Sequence, residues 1–294
     1  MALHIQNAID AISLGSLYAM FTLGIALIFG IMRLINFAHG ELIMVGAYVL
    51  ILVARPAWPI VLLTTLAITV LFALAMERIA FRPVRGSSPA TLLVTSFAVS
   101  FLLQNLAVSI FGARPKSRNV STALLQFFQI GNVRVPELDV VTFVTTVVLL
   151  GALAFFLNRT SFGVQMRASA EDFTMARMLG VNANRVIAAA FAISGVLAAT
   201  AAVLLVLQSG SVDPSIGSYP VIVAFIATIL GGMGSLRGAV LGGFLLGVIT
   251  IALQAYLPLE LRYYRDAFAY GAVIAMLLFR PQGLIVARSA QERV

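Results

Sequence analysis

The sequence predicts an all-α, polytopic integral membrane protein, and three observations carry that prediction. Hydrophobic residues make up 61% of the 294-residue chain and charged residues only 10%, whereas soluble domains are about a quarter charged. The apolar residues gather into stretches close to the ~20 residues an α-helix needs to cross a bilayer. The basic residues fall mostly between those stretches, in many short loops. A chain with so little charge cannot solvate its own surface in water and presents apolar surface to lipid instead.

The first stretch, 8–30, has no lysine or arginine before it and runs past the length of a signal-peptide core, so it is expected to remain as the first helix. Spans follow at 59–76, 90–111, 140–157, 186–207, 239–257 and 267–279, with shorter apolar stretches at 41–54 and 220–230. Together these give roughly eight to ten transmembrane helices, some short or broken, and 1–294 reads as a single transmembrane domain. The two short stretches adjoin unusual breaks. Asn36-Phe37-Ala38-His39-Gly40-Glu41 leads into the first, and Gly231-Gly232-Met233-Gly234-Ser235-Leu236-Arg237-Gly238 follows the second. Asn36 and Ser235 are placed to cap the helices that start there. Broken helices at matching places in two halves point to a site at the membrane midplane. Ordinary short loops would read the same way, and the residue-level match between the halves is too weak to define a repeat.

Arginines set the orientation. Arg78, Arg82 and Arg85 lie in loop 77–89, Arg159, Arg167, Arg177 and Arg185 in loop 158–185, and Arg280, Arg288 and Arg293 in the tail. All three segments are expected in the cytoplasm, the carboxyl terminus with them. Loop 208–219 and the first 30 residues carry no basic residue and are expected outside. Loop 112–139, with Arg114, Lys116, Arg118 and Arg134, also falls outside in this scheme, against the charge rule, which long loops follow less closely. The net charge of +8 is spread over many loops and forms no nucleic-acid stripe.

Several chemistries are excluded. There is no cysteine, and histidine occurs only as His4 and His39, so disulfides, thiolate chemistry and a histidine-rich metal centre drop out. The single lysine, Lys116, lies in no Gly-x-x-x-x-Gly-Lys-Ser/Thr sequence, so the chain has no P-loop ATP site of its own. No nucleophile elbow, zincin helix or dinucleotide fingerprint is present, and no catalytic activity or bound cofactor is expected.

Loop 158–185 holds the most structured signal. Ser169-Ala170-Glu171-Asp172 fits a Ser-x-x-Asp capping pattern, the helix formers Met175, Ala176, Arg177, Met178 and Leu179 follow, and Gly180 stands where a helix should stop. The reading is a capped helix of about three turns on the cytoplasmic side. It serves either as a docking element for a partner or as an interfacial amphipathic helix. Glu41 is the only acidic residue between Asp10 and Glu77. With His39 and Asn36 it either faces a water-filled path or sits in a solvated loop at the membrane surface. Ser13, Ser16, Tyr18, Thr22, Ser96, Ser100, Gln104, Asn105, Gln208 and Ser209 are polar within or beside spans and read mainly as interhelical contacts. Gly24, Gly30, Gly195, Gly242, Gly243 and Gly247 suit close helix approach. Asp213-Pro214 reads as an external turn.

Residues across the chain resemble the branched-chain amino acid ABC transporter permeases of the LivH type. Ser13-Leu14-Gly15-Ser16-Leu17-Tyr18-Ala19 and Ile35-Asn36-Phe37-Ala38-His39-Gly40-Glu41 with Gly46-Ala47-Tyr48 carry the resemblance in the first part. Arg167 to Asp172, Ala176 to Asn182, Gly231 to Ser235 with Gly238-Ala239 and Gly242-Gly243, and Arg280-Pro281-Gln282-Gly283-Leu284 continue it in the family's order. Ala198-Ala199-Thr200-Ala201-Ala202 departs from it, because the family more often shows glycines there. The resemblance implies the permease subunit of an ATP-driven importer in a bacterial inner membrane. Its partners would be a related LivM-type permease, two ABC ATPase subunits that bind the ATP, and an extracytoplasmic binding protein that delivers substrate. Family members carry branched-chain amino acids, urea, short amides or aromatic acids. On this analogy 158–185 is the coupling loop, with Arg167, Ser169, Glu171, Asp172, Arg177 and Gly180 meeting an ATPase. Asn36, His39, Gly40, Glu41 and Ser235 would lie near the translocation path. The main rival is an ion-gradient-driven secondary transporter, for which Glu41 and the span-end Asp10 and Asp266 are thin provision.

Overall fold

Each apolar stretch in the sequence folds as a helix. The structure, a computed structural model, describes residues 2–53, 57–117, 126–130 and 133–285. Arg118, Arg288, Arg293 and the carboxyl terminus, to which the sequence assigns a side of the membrane, lie outside the described residues. The helices are α1 (Ala2–Met32), α2 (His39–Val53), α3 (Trp58–Met76), α4 (Pro89–Phe111), α5 (Glu137–Arg159), α6 (Ser161–Glu171), α7 (Phe173–Met178), α8 (Ala183–Ser209), α9 (Ser218–Gly231), α10 (Leu236–Tyr256) and α11 (Arg265–Phe279). Among the described residues, six helical segments are long and apolar enough to cross a membrane: Leu3–Met32, Trp58–Phe81, Pro89–Phe111, Glu137–Arg159, Ala183–Ser209 and Leu236–Tyr256. His39–Val53 and Ser218–Gly231 are the shorter apolar helices, as their length in the sequence predicts.

Local chemistry fixes the helix starts. Ser88, Thr160, Asn182 and Ser235 each accept a hydrogen bond from a first-turn amide, at Thr91, Gly163, Arg185 and Gly238 respectively. Pro89 follows Ser88 in the first turn of α4, where its missing N–H is no loss. Two short antiparallel ribbons interrupt the helical pattern. In one, β1 (Lys116–Ser117) pairs with β4 (Ser211–Val212), and in the other β2 (Phe127–Ile130) pairs with β3 (Val133–Pro136). The β1–β4 pairing puts the segment after α4 and the segment after α8 on one face, as the sequence reading places them despite the arginines of the first.

The chain forms two compact units. One comprises the described residues within Gly24–Val120 and Gly151–Ile222, the other those within Met1–Leu23, Ser121–Leu150 and Val223–Val294. In the former, α2, α3 and α8 pack mutually around small residues. A Cβ on Gly195 would stand 3.0 Å from the Ala73 Cβ and 3.1 Å from the Val70 Cα. Ala198, Ala199, Ala201 and Ala202 are all buried, so small side chains keep the helices close there. The end of α3 widens into a π-helical turn, Glu77–Phe81, and Phe81 is wholly buried against Phe191 of α8. In the other unit the glycines of α10 admit neighbouring backbones. A Cβ on Gly247 would lie 2.4 Å from the Gly15 Cα, and one on Gly242 2.2 Å from the Ala227 carbonyl oxygen. The Arg280 to Leu284 motif folds back on the glycine break after α9, where Leu284 N and Ile285 N donate to the carbonyls of Leu230 and Gly231.

Candidate functional site

The Asn36 to Glu41 break forms a buried polar cluster. Asn36, His39 and Glu41 are each at most 1% exposed, which rules out the solvated surface loop. The turn starts at Asn36, whose Oδ1 accepts from Ala38 N at 3.1 Å while its backbone carbonyl accepts from His39 N. Asn36, three residues ahead of His39, thus shapes the turn before the helix rather than capping its first turn. His39 begins α2, and its Nδ1 lies 2.9 Å from the Ser194 Oγ of α8. The imidazole lies against α1, where a Cβ on Gly24 would come within 2.4 Å of two ring atoms. Only glycine fits there, so Gly24 provides the space for His39. Gly40 has the same role toward the backbone: a Cβ on it would be 2.4 Å from the Gly217 carbonyl oxygen.

Glu41 is held by α4. Its Oε1 accepts from Ser100 Oγ at 2.7 Å and from Gln104 Nε2 at 2.8 Å, and Gln104 Nε2 also donates to Ser218 Oγ of α9 at 3.2 Å. One turn earlier, Ser96 Oγ reaches the Ile35 carbonyl at 3.3 Å. Ser96, Ser100 and Gln104 recur every four residues, so one polar stripe on an otherwise apolar helix faces the break. Phe37 stacks on Phe97 beside it, with ring centroids 4.3 Å apart. The Glu41 Oε2 and the Asn36 Nδ2 are buried without a hydrogen-bond partner. Replacing Glu41 by leucine strips the Ser100 and Gln104 donors of their acceptor, with an expected cost of about 1–3 kcal/mol. Glutamine keeps an acceptor oxygen, so Glu41→Gln should melt closer to wild type than Glu41→Leu in detergent. Equal melting temperatures would show that these hydrogen bonds do not hold the cluster.

Ser235 lies in the other unit, and its hydroxyl is engaged as the cap of α10 through Gly238 N at 3.0 Å. The polar stripe of α4 was visible in the sequence only as separate polar residues. Ser194, Ser218 and Gly217 were missed altogether, because a single small residue in an apolar run carries no signal until its neighbour is known.

In segment 158–185 the capping signal works differently from its sequence reading. Ser169 is an interior residue of α6, and its hydroxyl is buried with no partner. Asp172 is the cap instead: its Oδ1 accepts from Thr174 N and Met175 N, which ends α6 and starts α7. A carboxylate two and three residues ahead of free amides competes better than a serine already inside a helix. The resulting α7 has six residues, shorter than the three turns expected. Gly180 does end it, at φ +86°, with Gly180 N donating to the Arg177 carbonyl and Val181 N to the Ala176 carbonyl, the two-bond left-handed cap. Arg167, Glu171, Asp172, Arg177 and Gly180 are exposed. So are three apolar residues between them: Met175 at 59%, Met178 at 76% and Leu179 at 85%. By residue type alone these three signal only helix formation. Among the described residues no group of three or more histidine or acidic side chains could hold a metal ion.

The chain as a whole is similar to known proteins. Residues 7–277 match the family described as branched-chain amino acid transport system / permease component. The chain is 36% identical over 298 residues to the high-affinity branched-chain amino acid transport system permease protein BraD of Pseudomonas aeruginosa, covering 96% of this chain and 95% of the relative. It is 33% identical over 301 residues to the corresponding LivH of Escherichia coli K12, at the same coverage. The probable branched-chain amino acid transport permease protein LivH of Methanocaldococcus jannaschii is 28% identical over 292 residues, 93% of this chain and 90% of the relative. No solved structure matches the chain.

Proposed function

The chain belongs to the branched-chain amino acid transport permease family, as the membrane-spanning subunit of an ABC importer and not an enzyme, and from that premise we propose that it carries branched-chain amino acids or similar small polar solutes. ATP is hydrolysed in separate subunits, and a binding protein supplies the substrate. We assign it a bacterial inner membrane location with a cytoplasmic carboxyl terminus, 1–294 acting as one permease domain, a LivM-type permease as its membrane partner and two ATPase subunits below. It needs no cofactor of its own, since ATP binds to the ATPases.

The observation that carries this reading is the exposed face of α6 and α7. Met175 and Met178 of a short helix, and Leu179 directly after it, are exposed between the Asp172 cap and the Gly180 stop and are flanked by Arg167, Glu171 and Arg177. Apolar anchors inside a charged rim are the make-up of a protein docking site. Segment 158–185 is therefore the ATPase-docking loop, with Ser169 supporting α6 from its buried side. Asn36, His39, Gly40 and Glu41 flank the translocation path, and the hydrogen bonds of Glu41 to α4 and of His39 to α8 exchange as the subunit alternates between inward and outward access. Ser235, which caps α10 through Gly238 N, is assigned to the path by family analogy.

Gentle extraction of the tagged chain from its native membranes, with mass spectrometry of what stays bound, tests the assignment. Two P-loop ATPases and a related permease are expected. Recovery of the chain alone, driving uptake into liposomes without ATP, would replace this reading with an ion-coupled transporter.

A further inference from the structure

Arg85 ties the start of α8 to the end of α3. It lies in the turn between α3 and α4, with its side chain 18% exposed. Its Nη2 donates to Glu77 Oε1 in the π-helical turn, and its Nη1 donates to Asn184 Oδ1 at 2.6 Å. The Glu77 side chain is only 6% exposed, unlike the Arg265–Asp266 pair, whose side chains are 30% and 40% exposed. A solvated ion pair contributes little, but a carboxylate this buried depends on its partner. The guanidinium suits the task because its rigid fork directs two bonds at once. Burial pushes its pKa down, and the neighbouring Glu77 pushes it back up.

What the fork joins is significant. Asn184 is in the first turn of α8, directly after the Asn182 cap and the Gly180 stop that close α7. Glu77 begins a π-helical turn, a local departure from α geometry of the kind that recurs at functional sites. Beyond it α3 and α8 stay in contact through Phe81 on Phe191, then Ala73 and Val70 on Gly195. Apart from the α3–α8 interface itself, the chain from α7 to α3 thus has a short side-chain route, Asn184 to Arg85 to Glu77.

We propose that Arg85 is a positioning residue for energy coupling, a clamp that makes the α3 end follow the docking loop through Asn184. The proposal rests on the assignment of segment 158–185 as the docking loop. Movement imposed on α7 reaches α8 along the backbone, and Arg85 passes it sideways to α3, so the two helices shift as one body.

The test uses the complete importer in proteoliposomes, with its ATPases and binding protein, and reads substrate taken up per ATP hydrolysed. Asn184 is exposed, so Asn184→Ala breaks the clamp without leaving a buried charge unpaired. Uptake per ATP is expected to fall about fivefold, within the range seen for residues along coupled networks, while the amount of ATPase bound stays unchanged. Asn184→Asp keeps an acceptor for Arg85 and should restore the ratio to within about twofold of wild type. A ratio that Asn184→Ala leaves unchanged, with or without a lower melting temperature, would overturn the clamp and leave Arg85 a structural residue. Leu179→Lys in the same assay separates the two proposals. If that variant retains its ATPases, the docking assignment has failed. If it loses them while Asn184→Ala stays coupled, the clamp alone has failed.

Discussion

Leu179→Lys is expected to detach the ATPases from a permease that remains folded. Leu179 is 85% exposed and follows the last residue of α7, so its replacement removes no packing inside the chain. Lysine is chosen over aspartate because a cation is favoured at a helix carboxyl end. The cost to the fold should therefore stay within about 0.5 kcal/mol, as for other surface changes. At an interface the same position behaves differently. Anchors near the centre of a docking site cost 2 kcal/mol or more when lost, roughly a 30-fold loss of affinity. A charge forced into an apolar groove also meets a desolvation cost that simple truncation avoids. Co-purification of ATPase with the variant, at wild-type yield of permease, is the measurement. Undiminished ATPase recovery would return α7 to the alternative of an interfacial amphipathic helix, whose lipid contacts a lysine tolerates by extending toward the headgroups.

The helices were legible in the sequence because lipid imposes a length and a composition that nothing else in the chain imitates. The stretch 186–207 is contained within α8, Ala183–Ser209, and 90–111 within α4, Pro89–Phe111. Caps of the Ser235 kind were legible for a similar reason: a serine before a glycine-rich helix start has few other uses. The Ser169 cap was misread because the motif is satisfied by residue type alone, and two competing caps, Ser169 and Asp172, sat three residues apart. Which one wins depends on whether α6 reaches Glu171, and that is decided by its own cap at Thr160 and by Gly163. A Cβ on Gly163 would stand 2.3 Å from the Phe156 carbonyl oxygen, so the turn there is tight.

The polar cluster shows a different limit. Glu41 stood out because a lone carboxylate in an apolar region is costly. Its partners did not, since Ser100 and Gln104 lie 59 and 63 residues away and look like ordinary packing residues. The fourfold spacing of Ser96, Ser100 and Gln104 was present in the sequence. It acquires meaning only once α4 is known to run past the break. Arg85 was read as one of three arginines marking the cytoplasmic side, a statistical role. Its particular role appears only when Glu77 and Asn184 are seen on either side of it.

Gly217→Ala should be the most damaging single methyl group that can be added near the cluster. A Cβ at Gly217 would lie 1.9 Å from the Gly40 carbonyl oxygen and 2.4 Å from the Gly40 carbonyl carbon, both backbone atoms that cannot swing aside. The two glycines face each other, so the start of α2 and the residue before α9 touch backbone to backbone. Overpacking of this kind costs about 1–3 kcal/mol, occasionally more. Against a typical total of roughly 5–15 kcal/mol, the variant should melt roughly 5–10 °C below wild type. Moving Gly217 also displaces the adjacent Ser218 from Gln104 and so loosens the carboxamide that holds Glu41. Uptake should fall further than the loss of folded protein explains. Gly30→Ala is the control: nothing lies within 4 Å of a Cβ there, and alanine is the better helix former by about 0.8–1.0 kcal/mol. That variant should melt at or above the wild-type temperature. If Gly217→Ala matches it, the α2–α9 contact has slack in it, and the close packing invoked to hold Glu41, Gln104 and Ser218 together is wrong.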